Sequence, residues 1–177
     1  PDDEECRRFR VASHGVRSAP STFRVLFIDQ EAPTIDFDAG GYAAFQEIRM
    51  LQAMGAEVTF LPRNLAWMDR HTRALERAGV RCLYSPFVRD FRAYVREHAG
   101  DYDLTYVTRY KVALDILDDL KSSSHPPKIA LVLADLHFLR EIREAAAGTA
   151  GYTLAKAKET QEEELRAIAG CDLTLSY

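Results

Sequence analysis

The sequence has no long apolar run, little cysteine and no excess of positive charge. None of its apolar runs approaches the ~20 residues that a helix needs to cross a bilayer, so we predict no transmembrane segment. The three cysteines lie far apart and form no CxxC pair, which indicates neither a disulfide framework nor a zinc ribbon. The net charge of −4 gives no long-range attraction for nucleic acid. We therefore expect no nucleic-acid partner.

Three widespread functional motifs are missing as well. The chain contains no GxGxxG turn, no Walker loop ending in Gly-Lys-Ser/Thr, and no Gly-x-Ser-x-Gly elbow. The simplest sequence evidence for a dinucleotide site, a P-loop or a hydrolase nucleophile is thus absent. What remains is the composition of an ordinary globular protein, with 47% hydrophobic and 28% charged residues.

From Phe23 onward, short apolar runs alternate with amphipathic segments. The run RVLFI at residues 24–28 is continuous rather than alternating, as expected for a strand covered on both faces. Strands separated by single helices need crossover connections, which produce a parallel sheet. We predict an α/β protein with a three-layer, Rossmann-like open parallel sheet flanked by helices over residues 23–177. Residues 1–22 are predicted to be a linker or a loosely docked arm. The predicted strands cover residues 24–28, 58–61, 80–84, 104–107, 129–133 and 173–175.

Open parallel sheets bind their ligands outside the carboxyl ends of the strands, and DFDAGG at residues 36–41 follows the first strand. Two interpretations stay open for this segment. Gly40 and Gly41 allow a donor phosphate to approach the backbone at a helix N-terminus. Alternatively, the glycines only form the turn and Asp38 caps the helix. Asp36 and Asp38 also form a DxD pair, for which we expect no metal.

A second candidate segment follows the fifth strand. Asp135 and His137 are residue types that orient or deprotonate a hydroxyl group. The alternative is structural, with Asp135 capping the next helix and Arg140 pairing with Glu144 on an exposed face. Arg109, after the fourth strand, either binds a phosphate or carboxylate or makes an ion pair within the fold.

The remaining notable residues are predicted to have structural rather than functional roles. The run of glutamates at residues 162–164 is predicted to be an exposed helix face, and His71 and His98 to pack on apolar helical stripes. Cys82 is predicted to be a buried strand residue, and Cys171 a small residue at a strand entrance. Trp67 is expected to lie on the same helix as His71, and Phe87 on the same helix as His98.

Several of these segments resemble the N-terminal domain of family 4 glycosyltransferases of the GT-B fold. PTIDFDAGG at residues 33–41 is similar to the family's D-x-DSGS loop, with Ala39 and Gly41 in place of its serines. GAEVTFLPRN at residues 55–64 resembles the family's second strand, and Arg109 its arginine after the fourth. DLHFLREIRE at residues 135–144 is the most specific match. The resemblance runs from Arg24 to Tyr177.

The resemblance implies transfer of a sugar, with retention, from a nucleotide-sugar donor to a glycan or lipid-linked glycan acceptor. It places Asp135 and His137 near the reacting hydroxyl as catalytic residues. It also implies Asp38, Gly40, Gly41 and Arg109 as donor-phosphate or acceptor contacts. No metal or resident cofactor is expected. The location implied is the cytoplasm, at the periphery of the inner membrane.

The resemblance further implies a partner domain in cis. A GT-B enzyme has a second, C-terminal Rossmann domain that binds the nucleotide-sugar, and we expect that domain to be missing from this chain. The chain alone is therefore expected to fold but to transfer no sugar. The alternative hypothesis is a non-catalytic, Rossmann-like interaction or scaffold module of a larger multidomain protein.

Overall fold

The computed structural model describes residues 22–176. The predicted arm over residues 1–22, which includes Cys6, lies outside the described residues except for Thr22. Tyr177 also lies outside them. The described residues form an open sheet with helices on both faces, which confirms the predicted Rossmann-like fold class.

Strands and helices alternate along the chain. The strands are β1 (Arg24–Asp29), β2 (Glu57–Pro62), β3 (Arg81–Cys82), β4 (Leu104–Thr108), β5 (Lys128–Leu133) and β6 (Leu173–Ser176). The helices are α1 (Ala39–Ala53), α2 (Asp69–Arg77), α3 (Phe91–His98), α4 (Tyr110–Lys121), α5 (His137–Ala146) and α6 (Leu154–Gly170), with a 3₁₀ turn at Ala99–Asp101. In the part of the chain so described, no helix is long and apolar enough to cross a membrane.

All six strands are parallel, in the order β3-β2-β1-β4-β5-β6. Strand β1 lies at the centre, where Val25 pairs with Val58 of β2 on one side and with Leu104 of β4 on the other. The chain winds outward in one direction from β1 to β3 and in the other from β4 to β6. The direction reverses between β1 and β4, and in this fold class the ligand crevice forms at that point.

Two apolar layers hold the sheet. Val25 and Phe27 of β1 pack beneath α1 and α2, whereas Leu26 and Ile28 pack on the opposite face beneath α3, α4 and α6. This alternation is the period of two that a strand requires. Complete burial of a side chain of this size contributes about 1.5–3 kcal/mol. The strand ends that carry the polar residues of interest are thus attached to the most deeply buried part of the molecule.

Three element boundaries differ from the sequence-based prediction. Strand β3 is shorter than the predicted residues 80–84. Helix α2 begins at Asp69, after the chain turns at Leu65 with a φ of 51°, so Trp67 lies before the helix rather than on it. Helix α3 begins at Phe91, because the Asp90 carboxylate caps it by accepting a hydrogen bond from the Ala93 N–H. Both helix starts leave an aromatic residue in the preceding loop.

Candidate functional site

The predicted site residues lie at the carboxyl edge of the sheet, on either side of the strand-order reversal. The loop after β1 carries Asp38 to Gly41, the residue after β4 is Arg109, and Asp135 and His137 follow β5. Because β1, β4 and β5 are consecutive neighbours in the sheet, these three segments are adjacent. The residues that the sequence analysis assigned to the strand ends therefore lie at this edge, and their role there stays a prediction.

The Asp38 carboxylate occupies the N-terminus of α1. Its Oδ1 accepts a hydrogen bond from the Gly41 N–H at 2.7 Å, and the Thr34 hydroxyl donates to Oδ2. The Thr34 hydroxyl bond, together with the Gly41 N–H, lowers the pKa of Asp38 below its ordinary value. Of the two interpretations of this segment, capping is the one observed. It uses an N–H donor that an incoming phosphate would otherwise need.

Gly41 is required by a close approach of backbone to backbone. A Cβ on Gly41 would lie 2.6 Å from the Thr34 nitrogen, closer than atoms can pack. At Gly40 the nearest atom to a Cβ would be the Asp38 Oδ1, at 3.2 Å. The glycine pair therefore forms the turn between β1 and α1. Only at Gly41 is there no room for a Cβ atom.

Asp36 and Asp38 have separate partners. Asp36 pairs with Arg70 of α2 at 3.1 Å, and this ion pair ties the loop after β1 to the next helix. Among residues 22–176, no three His, Cys, Asp or Glu side chains are grouped as a metal site would require. In this fold each acid of the DxD pair acts in its own structural contact.

Arg109 bridges the ends of β1 and β4. Its Nε lies 2.9 Å from Oδ1 of Asp29, a buried carboxylate that also accepts a hydrogen bond from the Gln30 N–H at 2.6 Å. The backbone of Arg109 has a φ of 75°, which non-glycine residues rarely adopt. The ion pair within the fold is therefore present. The side chain nevertheless remains 56% exposed, so part of the guanidinium is open to an anionic ligand.

His137 is held by a carboxylate from α6. Oε1 of Glu164 lies 2.8 Å from the imidazole Nδ1 and 2.9 Å from the His137 backbone nitrogen, while Oε2 accepts from the Phe138 N–H at 3.1 Å. Glu164 is fully buried. The prediction that residues 162–164 form an exposed face is correct for Glu162 and wrong for Glu164, which faces the start of α5.

The structural alternatives proposed for Asp135 and Arg140 are not the contacts that form. Asp135 does not cap α5, because Glu164 binds the free N–H groups of that helix. Asp135 instead pairs with Arg140 at 2.5 Å, and Glu144 accepts a hydrogen bond from the Thr149 hydroxyl at 2.7 Å. The pair with Arg140 keeps the Asp135 carboxylate at the edge, where its side chain is about half exposed.

The second nitrogen of His137 lies at the exposed edge. Its Nε2 is 3.9 Å from Oδ1 of Asp135, and 35% of the side chain is exposed. The Glu164 carboxylate lies against Nδ1, so Nε2 is the ring nitrogen that faces a ligand at the edge.

Tyr110 packs against the His137 ring and was not predicted from the sequence. Its ring centroid lies 5.4 Å from that of His137, and it is buried at the start of α4. Burial raises the pKa of Tyr110 to about 12, aided by the charges of Glu163 and Glu164. Its phenol is therefore protonated at neutral pH. It supports the imidazole ring by contact rather than by charge.

Three exposed aromatic rings lie along the same edge, one after each of the strands β1, β2 and β3. Phe37 is 81% exposed after β1, Trp67 44% after β2, and Phe87 76% after β3. The guanidinium of Arg73 lies 5.4 Å from the centre of the Trp67 ring. Sequence periodicity assigned two of these aromatics to helical stripes. Their place in a loop directly after a strand was the available indication of exposure.

Among the described residues, Cys82, Cys171 and His98 lack reactive surroundings. Burial raises the pKa of Cys82 to about 12 and that of Cys171 to about 11, so both are thiols at neutral pH. Each is only partly buried. His98 is half exposed and pairs with Asp101 at 3.0 Å, and its ring lies against Tyr94.

Comparison with known proteins supports the fold alone. No protein-family model matches the chain. No curated protein matches it either. Among solved structures, it is similar to a yeast methylglyoxal/isovaleraldehyde reductase in complex with NADPH, with a TM-score of 0.51 and 10% sequence identity. The match covers 86% of this chain and 56% of the reductase chain, so the chain spans little more than half of that neighbour's length.

Proposed function

We propose that the chain is the acceptor-side domain of a retaining glycosyltransferase of the GT-B type. The reaction would move a sugar from a nucleotide-sugar to a glycan or lipid-linked glycan. The observation that carries the proposal is the pair of contacts made by the two ring nitrogens of His137, in the motif DLHFLREIRE. One ring nitrogen is anchored on a buried carboxylate, and the other lies beside Asp135 at the ligand edge.

His137 would act on the acceptor hydroxyl. Nε2 accepts a hydrogen bond from that hydroxyl and orients its oxygen toward the anomeric carbon of the donor. The bond between the anomeric carbon and the donor phosphate breaks, the nucleoside diphosphate leaves, and the acceptor oxygen bonds to that carbon on the same face, as retention requires. The hydroxyl proton passes to the imidazole, and the adjacent Glu164 stabilises the resulting positive charge. Asp135, beside Nε2, would accept from a neighbouring sugar hydroxyl.

Arg109 is the residue best suited to the donor phosphates. Its guanidinium is partly exposed at the strand-order reversal and also contributes to lowering the Asp38 pKa, after the Thr34 and Gly41 contacts. Asp38, Gly40 and Gly41 then shape the loop rather than bind phosphate, because the Asp38 carboxylate would repel an anion at that helix end. A second Rossmann domain would bind the nucleotide.

The exposed aromatics suit an acceptor with several sugar rings. Sugar rings have apolar C–H faces that can lie against aromatic rings, and Phe37, Trp67 and Phe87 offer such faces along one edge. From β5 to β2 the distance is about three strand spacings, or roughly 14 Å, which exceeds one sugar ring. The acceptor would extend from His137 toward Trp67.

A dinucleotide-dependent reductase is the activity of the structural neighbour, and the residues of this chain do not favour it. Such sites place a pyrophosphate on the helix after β1, over a glycine-rich turn. An acid after the second strand then binds the ribose of NAD, or an arginine nearby binds the 2′-phosphate of NADP. Here the Asp38 carboxylate occupies that helix end, and β2 is followed by Arg63 and Asn64. The occupied helix end opposes a dinucleotide pyrophosphate in that position. Arg63 is of the residue type that an NADP site uses, but its side chain pairs with Asp115 at 2.5 Å.

A donor and acceptor screen on the full gene product that contains this chain tests the proposal. Release of nucleoside diphosphate should depend on a glycan acceptor and fall when Arg109 is replaced by Gln. Trp67→Ala should raise KM for longer acceptors more than for a single sugar. If no donor is consumed with any glycan, and the folded protein instead binds another protein through this edge, the non-catalytic module is the correct interpretation.

A further inference from the structure

Helix α5 is capped in a different way from its neighbours. Asp38 and Asp90 cap α1 and α3 from the residue directly before each helix. At α5 that residue is Leu136, which has no capping side chain. The cap instead comes from Glu164, 27 positions after His137, on a different helix. A cap alone needs only backbone N–H groups, yet the same carboxylate also binds the imidazole.

Glu164 accepts hydrogen bonds from two backbone N–H groups, that of His137 at Oε1 and that of Phe138 at Oε2. Nδ1 of His137 lies 2.8 Å from the same Oε1, and an ionised carboxylate there can only accept a hydrogen bond. The backbone contacts fix the position of the carboxylate relative to α5, and the carboxylate in turn fixes the ring. A neutral His137 in this arrangement has its proton on Nδ1 and its lone pair on Nε2.

We infer that Glu164 is a positioning residue that holds His137 in the Nδ1–H tautomer and keeps Nε2 as a hydrogen-bond acceptor at the carboxyl edge. When Nε2 takes a proton, the Nδ1–H contact persists, and the imidazolium forms beside a carboxylate without any movement of the ring. The part of this inference that concerns turnover rests on the proposed sugar transfer. The part that concerns the tautomer does not.

The tautomer is measured by ¹⁵N NMR of the imidazole in this chain, without any substrate. The wild-type spectrum should show a protonated Nδ1 and an unprotonated Nε2 for neutral His137. In Glu164→Gln, one oxygen becomes an amide donor, so the tautomers should mix or invert. Glu162→Gln, on the exposed face of the same helix, should leave the spectrum unchanged. An Nε2–H tautomer in the wild-type protein would overturn the inference.

Kinetics of the full gene product provide the second readout. Glu164→Gln should lower kcat by about a hundredfold or more while KM changes little, since the wrong tautomer removes the acceptor nitrogen. Thermal unfolding measured in parallel establishes that the variant is folded. Transfer at the wild-type rate, despite an altered tautomer, would overturn the role of Glu164 in turnover. If the wild-type protein transfers no sugar, the proposed function fails and the NMR result still decides the tautomer.

Discussion

The Oε1 atom of Glu164 lies 2.8 Å from Nδ1 and 2.9 Å from the backbone nitrogen of His137. A single buried carboxylate therefore joins α6 to the first turn of α5 and to the ring that this turn presents. The contact has two consequences that can be measured separately. It stabilises the fold through the backbone N–H groups, and it orients the imidazole through Nδ1.

Replacing Glu164 with Ala should destabilise the protein strongly. Three N–H donors lose their acceptor in a buried place, and we expect a loss of about 3 kcal/mol in the free energy of unfolding. Urea unfolding followed by circular dichroism measures it. Glu162→Ala is the control, and as an exposed substitution it should change the stability by less than about 0.5 kcal/mol. Equal stability of the two variants would show that the buried contact contributes nothing.

Gly41→Ala should be more harmful than Gly40→Ala. The added methyl group at Gly41 would meet the backbone of Thr34 at 2.6 Å, so the loop after β1 must shift, at a cost of about 1–3 kcal/mol. At Gly40 the methyl meets only the Asp38 side chain, and alanine is the better helix former. Urea unfolding of both variants compares them directly. A Gly41→Ala protein as stable as Gly40→Ala would contradict the close approach.

Stability should fall in acid through carboxylates whose pKa is depressed in the fold. Hydrogen bonds from Thr34 and Gly41 lower the pKa of Asp38, and those from Lys128 and Ile129 lower that of Asp172. A depressed pKa means that the stabilisation is complete above the ordinary aspartate value and is lost as the pH falls through the folded value. The loss should therefore begin below about pH 4.

Asp38→Asn isolates one part of this acid dependence. Asparagine can still cap α1 through its side-chain oxygen, but it does not titrate. The midpoint of urea unfolding, measured from about pH 6 down to about pH 2.5, should fall less steeply in the variant than in the wild type. Identical slopes would mean that the Asp38 carboxylate contributes no pH-dependent stability.

The sheet and the polar residues at its carboxyl edge follow from residue patterns alone. Continuous apolar runs such as residues 24–28 predict strands covered on both faces, and single helices between them impose parallel pairing. The positions of Asp135, His137 and Arg109 then follow from where each strand ends. These are local properties of the chain, and the structure agrees with them.

The contacts between elements could not be predicted in the same way. Glu164 lies in a run of three glutamates, and composition alone suggested an exposed face. Its spacing from the small buried residues Ala157, Thr160 and Ala167 places it on the inner stripe of α6, and this was the indication available in the sequence. Its partner, however, depends on how α6 packs against α5. No local pattern contains that information.

The partner of Arg140 was missed for a related reason. Helical spacing favours Glu144, four residues later, but the nearer carboxylate in space is Asp135, in the loop before the helix. An exposed arginine has several acids within reach, and sequence spacing does not rank them.

The most direct test of the account is sugar transfer by the full gene product with His137 replaced by Asn. The Asn amide can still donate to Glu164 and preserve the cap of α5, but it has no nitrogen in the position of Nε2. We predict unchanged thermal stability and a fall in transfer rate of about 10²–10⁴-fold, the usual contribution of a positioned acid–base group. Transfer at the wild-type rate by a folded His137→Asn protein would contradict the account.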